Sequence, residues 1–385
     1  MAGVSYAEDG TRIVTNKDEI TGATAKKNKQ YRPHIHGRIM LDGATYQPGS
    51  TPLGAGTDIS SARLSVSGRA DADWRYRLDY ELSGSGSLKS AYLSRKLAAH
   101  QTLTIGNYQV PFSLEELTGS SSKTFMERGL PNTFAPSYRP SLGISYRRRH
   151  MSIAASLFGD SQNAGGPASK TSGNEGGGAA LRLTYLTRWN ARHLFHVGAS
   201  SYLRVPNADN TARFRSRPEA RLNVPRLIDT TKISNVARSS VSGFETALVL
   251  GPLSLQGEYM RAVISRKTGL SAQGLSGWYA YISYFLTGES RPYTKSAAFG
   301  KVVPEAVSGA WEIAIRRSAL DLNSTDIHGG VEYNTTLGLN YYLSPKMRVM
   351  ANYLLINVKA YPDGFAKPVV KESPKAFTVR MQMVF

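Results

Sequence analysis

The side chains of this chain that are best suited to chemistry are cationic, and two stretches concentrate them. In the first stretch, arginines recur at alternate positions and one more follows: Arg213, Arg215, Arg217, Arg221 and Arg226. Alternate side chains of an extended segment share one face, so these guanidinium groups are predicted to form a row. A guanidinium keeps its charge and binds phosphate through paired hydrogen bonds, and overlapping weak sites let an anion move onward. The alternatives are a solvated loop and a basic patch for lipopolysaccharide phosphates.

The second stretch is a lysine that follows a run of serines: Ser120, Ser121, Ser122 and Lys123. Hydroxyl groups beside one ammonium suit an oxyanion, because they donate hydrogen bonds without adding repulsive charge. These residues and Arg128 lie within residues 110–140, which carry no repeating pattern, and a loop of that length is usually functional or disordered. We predict an anion-binding constriction here. A mobile, serine-rich surface loop is the alternative.

Other site chemistry has little support in the sequence. The chain has no cysteine, and two histidines on one strand face, His34 and His36, do not make a metal site. A nucleophile elbow and a phosphate-binding loop are both lacking. We therefore expect neither an enzyme nor a bound cofactor or metal.

The elements that must position these residues are strands. In residues 74–82, bulky apolar residues alternate with arginine, aspartate and glutamate, which places the two kinds on opposite faces of a strand. One such strand also fits a soluble sandwich, but the pattern recurs along the chain. The predicted strands are residues 34–45, 59–69, 73–83, 87–97, 101–109, 141–148, 150–158, 178–188, 193–204, 239–250, 252–264, 275–287, 309–319, 327–343, 346–358 and 375–385. This predicts an all-β, transmembrane antiparallel barrel of about sixteen strands, with lipid outside and water inside.

Charge supports a basic lumen rather than a nucleic-acid site. The chain carries 47 Lys+Arg against 28 Asp+Glu, a net charge of +19. The arginines sit singly within alternating strands instead of in one cluster, so nucleic-acid binding is disfavoured. Alternation places Arg38 and Arg63 among the inward-facing arginines. We expect some of these to be neutralised by inward-facing acids: Asp42, Asp79, Glu81, Glu258, Glu312 and Glu332.

The connections and termini indicate an exported barrel. Tight turns alternate with longer loops, as in bacterial outer-membrane barrels, except that 288–308 is long on the short-turn side. Residues 1–33 are polar and form a predicted N-terminal extension, and residues 34–385 form the barrel. Residues 1–10 lack the charged and apolar regions of a signal peptide, so we expect the mature form of an outer-membrane protein from a Gram-negative bacterium. The chain also ends on an apolar strand residue, Phe385.

Several motifs resemble one family, the phosphate-selective porins O and P. They are Gly106 to Leu117, Ser122-Lys123, Phe125 to Arg128, Phe214 to Glu219, Trp278 to Tyr293 and Gly309 to Glu312. The resemblance covers essentially residues 34–385. It implies a trimeric, sixteen-stranded barrel that passes phosphate or related anions, with the loop at about 110–140 folded inward.

The resemblance also implies roles for particular residues. Lys123 matches the family's constriction lysine, Arg215 and Arg217 match its loop arginines, and Arg38 matches its first-strand arginine. One departure is that Ser60-Ser61 stands where strongly phosphate-selective members carry an arginine pair. Either Arg63 rebuilds the inner row of arginines or the selectivity is relaxed.

We therefore expect a passive outer-membrane channel for anions, with phosphate preferred. The expected partners are phosphate or other small anions, lipid, lipopolysaccharide and two further copies of the chain. The alternatives are a broader porin for polyphosphate or organic anions, and a non-conducting structural barrel that binds lipopolysaccharide.

Overall fold

Sixteen antiparallel strands close into a single barrel, as the alternation predicted. The computed structural model describes residues 4–6, 12–14, 32–47, 49, 51–161, 174–267, 269–360 and 370–385. The barrel strands are β1 (His34–Gln47), β2 (Gly56–Arg69), β3 (Trp74–Glu81), β4 (Ser87–Ala98), β5 (Gln101–Gln109), β6 (Tyr138–Arg147), β7 (Met151–Gly159), β8 (Gly177–Asn190), β9 (His193–Val205), β10 (Val236–Leu250), β11 (Leu253–Arg266), β12 (Gln273–Phe285), β13 (Ala310–Asn323), β14 (His328–Ser344), β15 (Met347–Ala360) and β16 (Lys375–Val384). A short strand, Val370–Glu372, precedes β16 and also pairs with β15.

The strands form because each one separates an apolar outer face from a polar inner face. In β3, Leu78 and Tyr80 point outward and are 50% and 43% exposed, whereas Asp79 and Glu81 point inward and are 2% and 7% exposed. The same alternation runs along β12 and β14. Exposed apolar side chains thus form the outer band that a membrane-spanning barrel requires. None of the helices in the described ranges is long and apolar enough to cross a membrane.

The connections divide the barrel into two ends. Tight turns such as residues 148–150, 251–252 and 345–346 lie at one end, here called the short-turn side. Gly251 allows one of them because its φ of +59° suits a residue without a side chain. The opposite end, the long-loop side, carries the connections that precede the even-numbered strands.

The connection between β5 and β6, here called the constriction loop (residues 110–137), folds into the barrel. It contains the short helix α1 (Leu114–Leu117) and two 3-10 turns, Ser120–Ser122 and Leu130–Phe134. Its apolar side chains, including Phe112 and Leu130, pack in one cluster with inward-facing residues of β10 to β13. The loop therefore fills one side of the lumen and leaves the side lined by β1 to β6 open.

The connection between β12 and β13, here called the inner segment (residues 286–309), also folds inward, from the short-turn side. Arg291 stacks on Phe299 and donates a hydrogen bond to Gln256 of the barrel wall at 3.1 Å. The Phe299 amide donates to the Thr118 hydroxyl of the constriction loop at 3.4 Å. This packing explains why the connection is long where a tight turn was expected.

The predicted N-terminal extension lies almost wholly outside the described residues. The described part of it includes two paired three-residue strands, Val4–Tyr6 and Arg12–Val14. The first barrel strand, β1, begins at His34.

Candidate anion-conduction site

Two cavities occupy the open side of the lumen. The long-loop cavity has a volume of about 1130 Å³, and the short-turn cavity has a volume of about 890 Å³. Five residues border both cavities: Arg38, Arg63, Ser120, Arg128 and Tyr138. Because the same side chains line the two spaces, they mark the place where the cavities meet. This set is here called the constriction ring.

Two strands contribute the arginines on the wall side of the constriction ring. Arg38 of β1 and Arg63 of β2 are cross-strand partners, and both lie against Glu81. Arg63 Nε is 3.3 Å and Arg38 Nη2 is 3.6 Å from the same carboxylate oxygen of Glu81. Arg38 also donates to the Ser61 hydroxyl at 2.9 Å. One carboxylate therefore faces two guanidinium groups, which leaves net positive charge at the ring.

The constriction loop supplies the opposite side of the ring. Arg128 donates to the carbonyl oxygens of Glu115, Glu116 and Thr118 and forms an ion pair with the Glu116 carboxylate at 3.3 Å. These bonds close the loop on itself and fix Arg128 at the ring. Arg128 also lines a third cavity towards the long-loop side.

Lys123 lines the long-loop cavity but is only 6% exposed. Its ammonium donates to the Met126 carbonyl at 2.7 Å, and among the described residues no serine hydroxyl hydrogen-bonds to it. Burial, reinforced by the positive charges of Arg128 and Arg380, lowers the pKa of Lys123 to about 7, although Glu127 opposes the shift. Lys123 therefore lies in the cavity wall.

The serines that precede Lys123 take separate positions. Ser120 belongs to the constriction ring, and Ser121 lines the short-turn cavity. Ser122 borders neither of these two cavities. The predicted arrangement of three hydroxyl groups around one ammonium is wrong, because the 3-10 turn points successive side chains in different directions.

The loop arginines gather, although not as an extended row. Arg215, Arg217, Arg221 and Arg226 border a cavity of about 240 Å³ beside Arg128. Burial and the like charges of Arg215 and Arg217 lower the pKa of Arg226 below its usual value.

The chain turns within this arginine group at Glu219, whose φ is +56°, and it sends that carboxylate to the buried guanidinium of Arg316 at 2.6 Å. The turn breaks the predicted row. Arg213 stands apart from the other loop arginines, because it forms an ion pair with Asp229 at 2.5 Å.

Half of the acids expected to neutralise lumen arginines do so. Asp42 pairs with Arg380, Asp79 with Arg77, and Glu81 with Arg38 and Arg63. Glu258, Glu312 and Glu332 form no ion pair with an arginine among the described residues. These three face the filled side of the lumen, where amide and hydroxyl groups, including backbone N–H groups of the constriction loop, donate to them.

The sequence reasoning missed several residues that line the pathway. Tyr138 and Lys89 lie at the constriction ring and the long-loop cavity, with the Lys89 ammonium 6.0 Å from the centre of the Tyr138 ring. The inner segment adds Ser296 and Lys301 to the short-turn cavity. The unexpected length of residues 288–308 was the signal that this segment had a role inside the barrel.

Comparisons with known proteins agree with this architecture. The sequence profile of the phosphate-selective porin O and P family matches residues 34–385. Porin O of Pseudomonas aeruginosa is 24% identical over 428 residues, which cover 100% of this chain and 95% of that protein.

Solved structures share the fold at low identity. The anion-selective porin from Comamonas acidovorans has a TM-score of 0.57 and 13% identity, with 92% of this chain and 99% of that chain covered. The trimer form of OmpT of Vibrio cholerae has a TM-score of 0.58 and 12% identity, with the same coverage. With the family match, these features identify the chain as a member of the phosphate-selective porin O and P family, an outer-membrane anion porin of a Gram-negative bacterium.

Proposed function

We propose that this porin prefers phosphate among small anions. The observation that carries the proposal is the constriction ring, where three guanidinium groups, a serine hydroxyl and a tyrosine border both lumen cavities. Guanidinium groups bind tetrahedral oxyanions through paired hydrogen bonds, and a serine hydroxyl adds a neutral donor. A narrow place lined in this way favours an anion that can accept many hydrogen bonds.

The proposed route begins at the loop arginines on the long-loop side. Arg217 and Arg221 border both the small loop cavity and the long-loop cavity, so an anion can pass from one space to the next. Arg38, Arg63 and Arg128 then replace part of its hydration shell. Because Arg38 and Arg63 share Glu81, their hold on the anion is weakened, which allows the anion to leave.

The proposal also covers the role of Lys123 and the number of chains in the assembled porin. Lys123 contributes positive potential from the cavity wall, while Ser120 and Ser121 line the pathway. We further propose a homotrimer, since the similar OmpT fold is described in a trimer form.

Chloride conductance in planar bilayers tests the proposal. We expect an anion-selective reversal potential and a chloride current that added phosphate inhibits. Arg63→Gln should raise the half-inhibiting phosphate concentration about ten-fold, because one charge-assisted hydrogen-bonding group is worth roughly 1.5 kcal/mol. In that variant the Glu81 carboxylate still pairs with Arg38 and still accepts hydrogen bonds from the Ser61 hydroxyl and the Ala62 amide.

Arg213→Gln is the matched control, because Arg213 is paired with Asp229 away from the constriction ring. An unchanged half-inhibiting concentration in Arg63→Gln, or an equal change in both variants, would contradict the role of the ring. A barrel without conductance would instead favour the structural alternative, in which basic loops bind lipopolysaccharide.

A further inference from the structure

The short-turn cavity differs in character from the constriction ring above it. Beside cationic groups it is lined by three half-buried tyrosines, Tyr92, Tyr108 and Tyr138. Among the described residues that border it, Asp79 has the single acidic side chain, and Arg77 holds that carboxylate at 2.8 Å. The cavity therefore combines positive charge with aromatic surface.

Two of these tyrosines, Tyr92 of β4 and Tyr108 of β5, form a joined aromatic surface. The Tyr92 and Tyr108 rings meet edge to face, with centroids 6.1 Å apart. The Tyr108 hydroxyl lies over Gly143, where a Cβ atom would come within 2.3 Å of it, so the missing side chain lets this ring lie close to the wall. The hydroxyl is also 3.1 Å from that of Ser156, which fixes the ring.

Cationic groups without an ion pair border the same space. Arg75, Arg147 and Lys301 line the cavity and are exposed, and none of them forms a salt bridge among the described residues. Arg77 lies directly across from Tyr92 in the β3–β4 pairing. Guanidinium groups and tyrosine rings thus stand side by side at a spacing set by the sheet.

A bare inorganic anion would use only the cations of this cavity. An organic oxyanion with a flat ring would use both features, since its charged group can pair with Arg75, Arg147 or Lys301 while its ring stacks on the tyrosines. A volume of about 890 Å³ is also ample for such a ligand.

We propose that the short-turn cavity is a second binding site, selective for organic phosphates or carboxylates that carry an aromatic ring. This inference rests on the proposed anion pathway and extends its substrates beyond inorganic phosphate. Tyr92 and Tyr108 bind the ring, and the unpaired cations bind the oxyanion.

Block of the chloride current from the short-turn side tests this site. The probes are phenyl phosphate, inorganic phosphate and phenol, at a pH at which both phosphates are dianions. We expect phenyl phosphate to reach half-block at a concentration about five-fold lower than inorganic phosphate, the gain of one aromatic stacking contact. Phenol alone should not block, because it carries no charge for the cations.

Variants of Tyr92 test whether its aromatic ring causes the stronger block by phenyl phosphate. Tyr92→Ala should abolish the advantage of phenyl phosphate and leave block by inorganic phosphate unchanged, and Tyr92→Phe should retain the advantage. Equal block by the two phosphates in an anion-selective channel would overturn this inference alone, as would an advantage that survives Tyr92→Ala. A barrel that is cation-selective or does not conduct would overturn the proposed function as well.

Discussion

At the scale of single residues, burial decides what a charged side chain can contribute. Lys123 is enclosed by the constriction loop, and its ammonium is satisfied by a backbone carbonyl rather than by an ion pair. Desolvation disfavours its charged form, which is why its pKa falls to about 7. A guanidinium group, in contrast, keeps its charge throughout the physiological pH range.

This difference predicts a pH-dependent conductance. Lys123 is charged below about pH 7 and neutral above it, so positive potential in the long-loop cavity should fall as the pH rises from 6 to 8. We expect the chloride-over-potassium permeability ratio to fall across that range in the wild type. Chloride is the suitable probe because, unlike phosphate, it does not itself titrate.

Lys123→Met should remove most of that pH dependence. Both proteins retain every other side chain of the pathway, including His36 of the short-turn cavity, so their difference isolates the lysine. Equal pH slopes in the two proteins would contradict titration of Lys123.

At the scale of elements, the constriction loop is held by buried acceptors on the barrel wall. Glu258 of β11 accepts hydrogen bonds from the amides of Leu114 and Glu115 at 3.2 and 2.6 Å, and from the Tyr279 hydroxyl at 2.6 Å. One carboxylate thus satisfies the backbone at the start of α1 and ties it to β11 and β12. Because these donors are buried, a loop that moved away from Glu258 would leave them without an acceptor.

Glu258→Gln should loosen the start of the loop. The glutamine amide has one acceptor oxygen and presents a donor to the other amide, which leaves a buried donor unsatisfied at a cost of about 1–3 kcal/mol. We expect larger fluctuations in single-channel current and a changed mean conductance. Glu332→Gln is the control, since Glu332 is also buried but accepts a hydrogen bond from Asn334 of its own strand. Identical recordings from the two variants would exclude this anchoring role.

At the scale of the whole molecule, closure joins the first strand to the last. Gly37 and Phe385 exchange backbone hydrogen bonds at 2.9 and 3.0 Å, and the Phe385 ring lies over Gly37. A Cβ atom at Gly37 would come within 2.1 Å of the ring, so the close approach requires glycine.

Gly37→Ala should therefore destabilise the closed barrel by about 1–3 kcal/mol, the usual cost of overpacking. Gly43→Ala in the same strand is the matched control, because its Cβ would meet neighbouring atoms no closer than 3.8 Å. The midpoint of urea-induced unfolding in lipid vesicles measures the difference. Equal midpoints would show that the Phe385 ring moves aside without cost.

The barrel and its basic character could both be predicted from the sequence. Alternation is a local property of a strand, so residues 74–82 reveal an apolar and a charged face without knowledge of their neighbours. The excess of basic residues likewise required no contacts to detect, and the motif resemblance led to the family. The strand ranges and the exceptional length of residues 288–308 followed from such local signals, whereas the inward folding of the loop was implied by the resemblance.

Only the tertiary structure decided which cations face open space. Arg213 and Arg215 look alike in the sequence, yet one is paired with Asp229 and the other borders a cavity. Lys123 lies in the cavity wall and donates to a backbone carbonyl. Glu258 accepts hydrogen bonds from the backbone of the constriction loop and does not pair with an arginine. The Glu258 contacts join residues more than a hundred positions apart, and the burial of Lys123 depends on where the constriction loop packs. No local sequence pattern encodes these contacts, because they form only when the barrel has closed around the constriction loop and the inner segment.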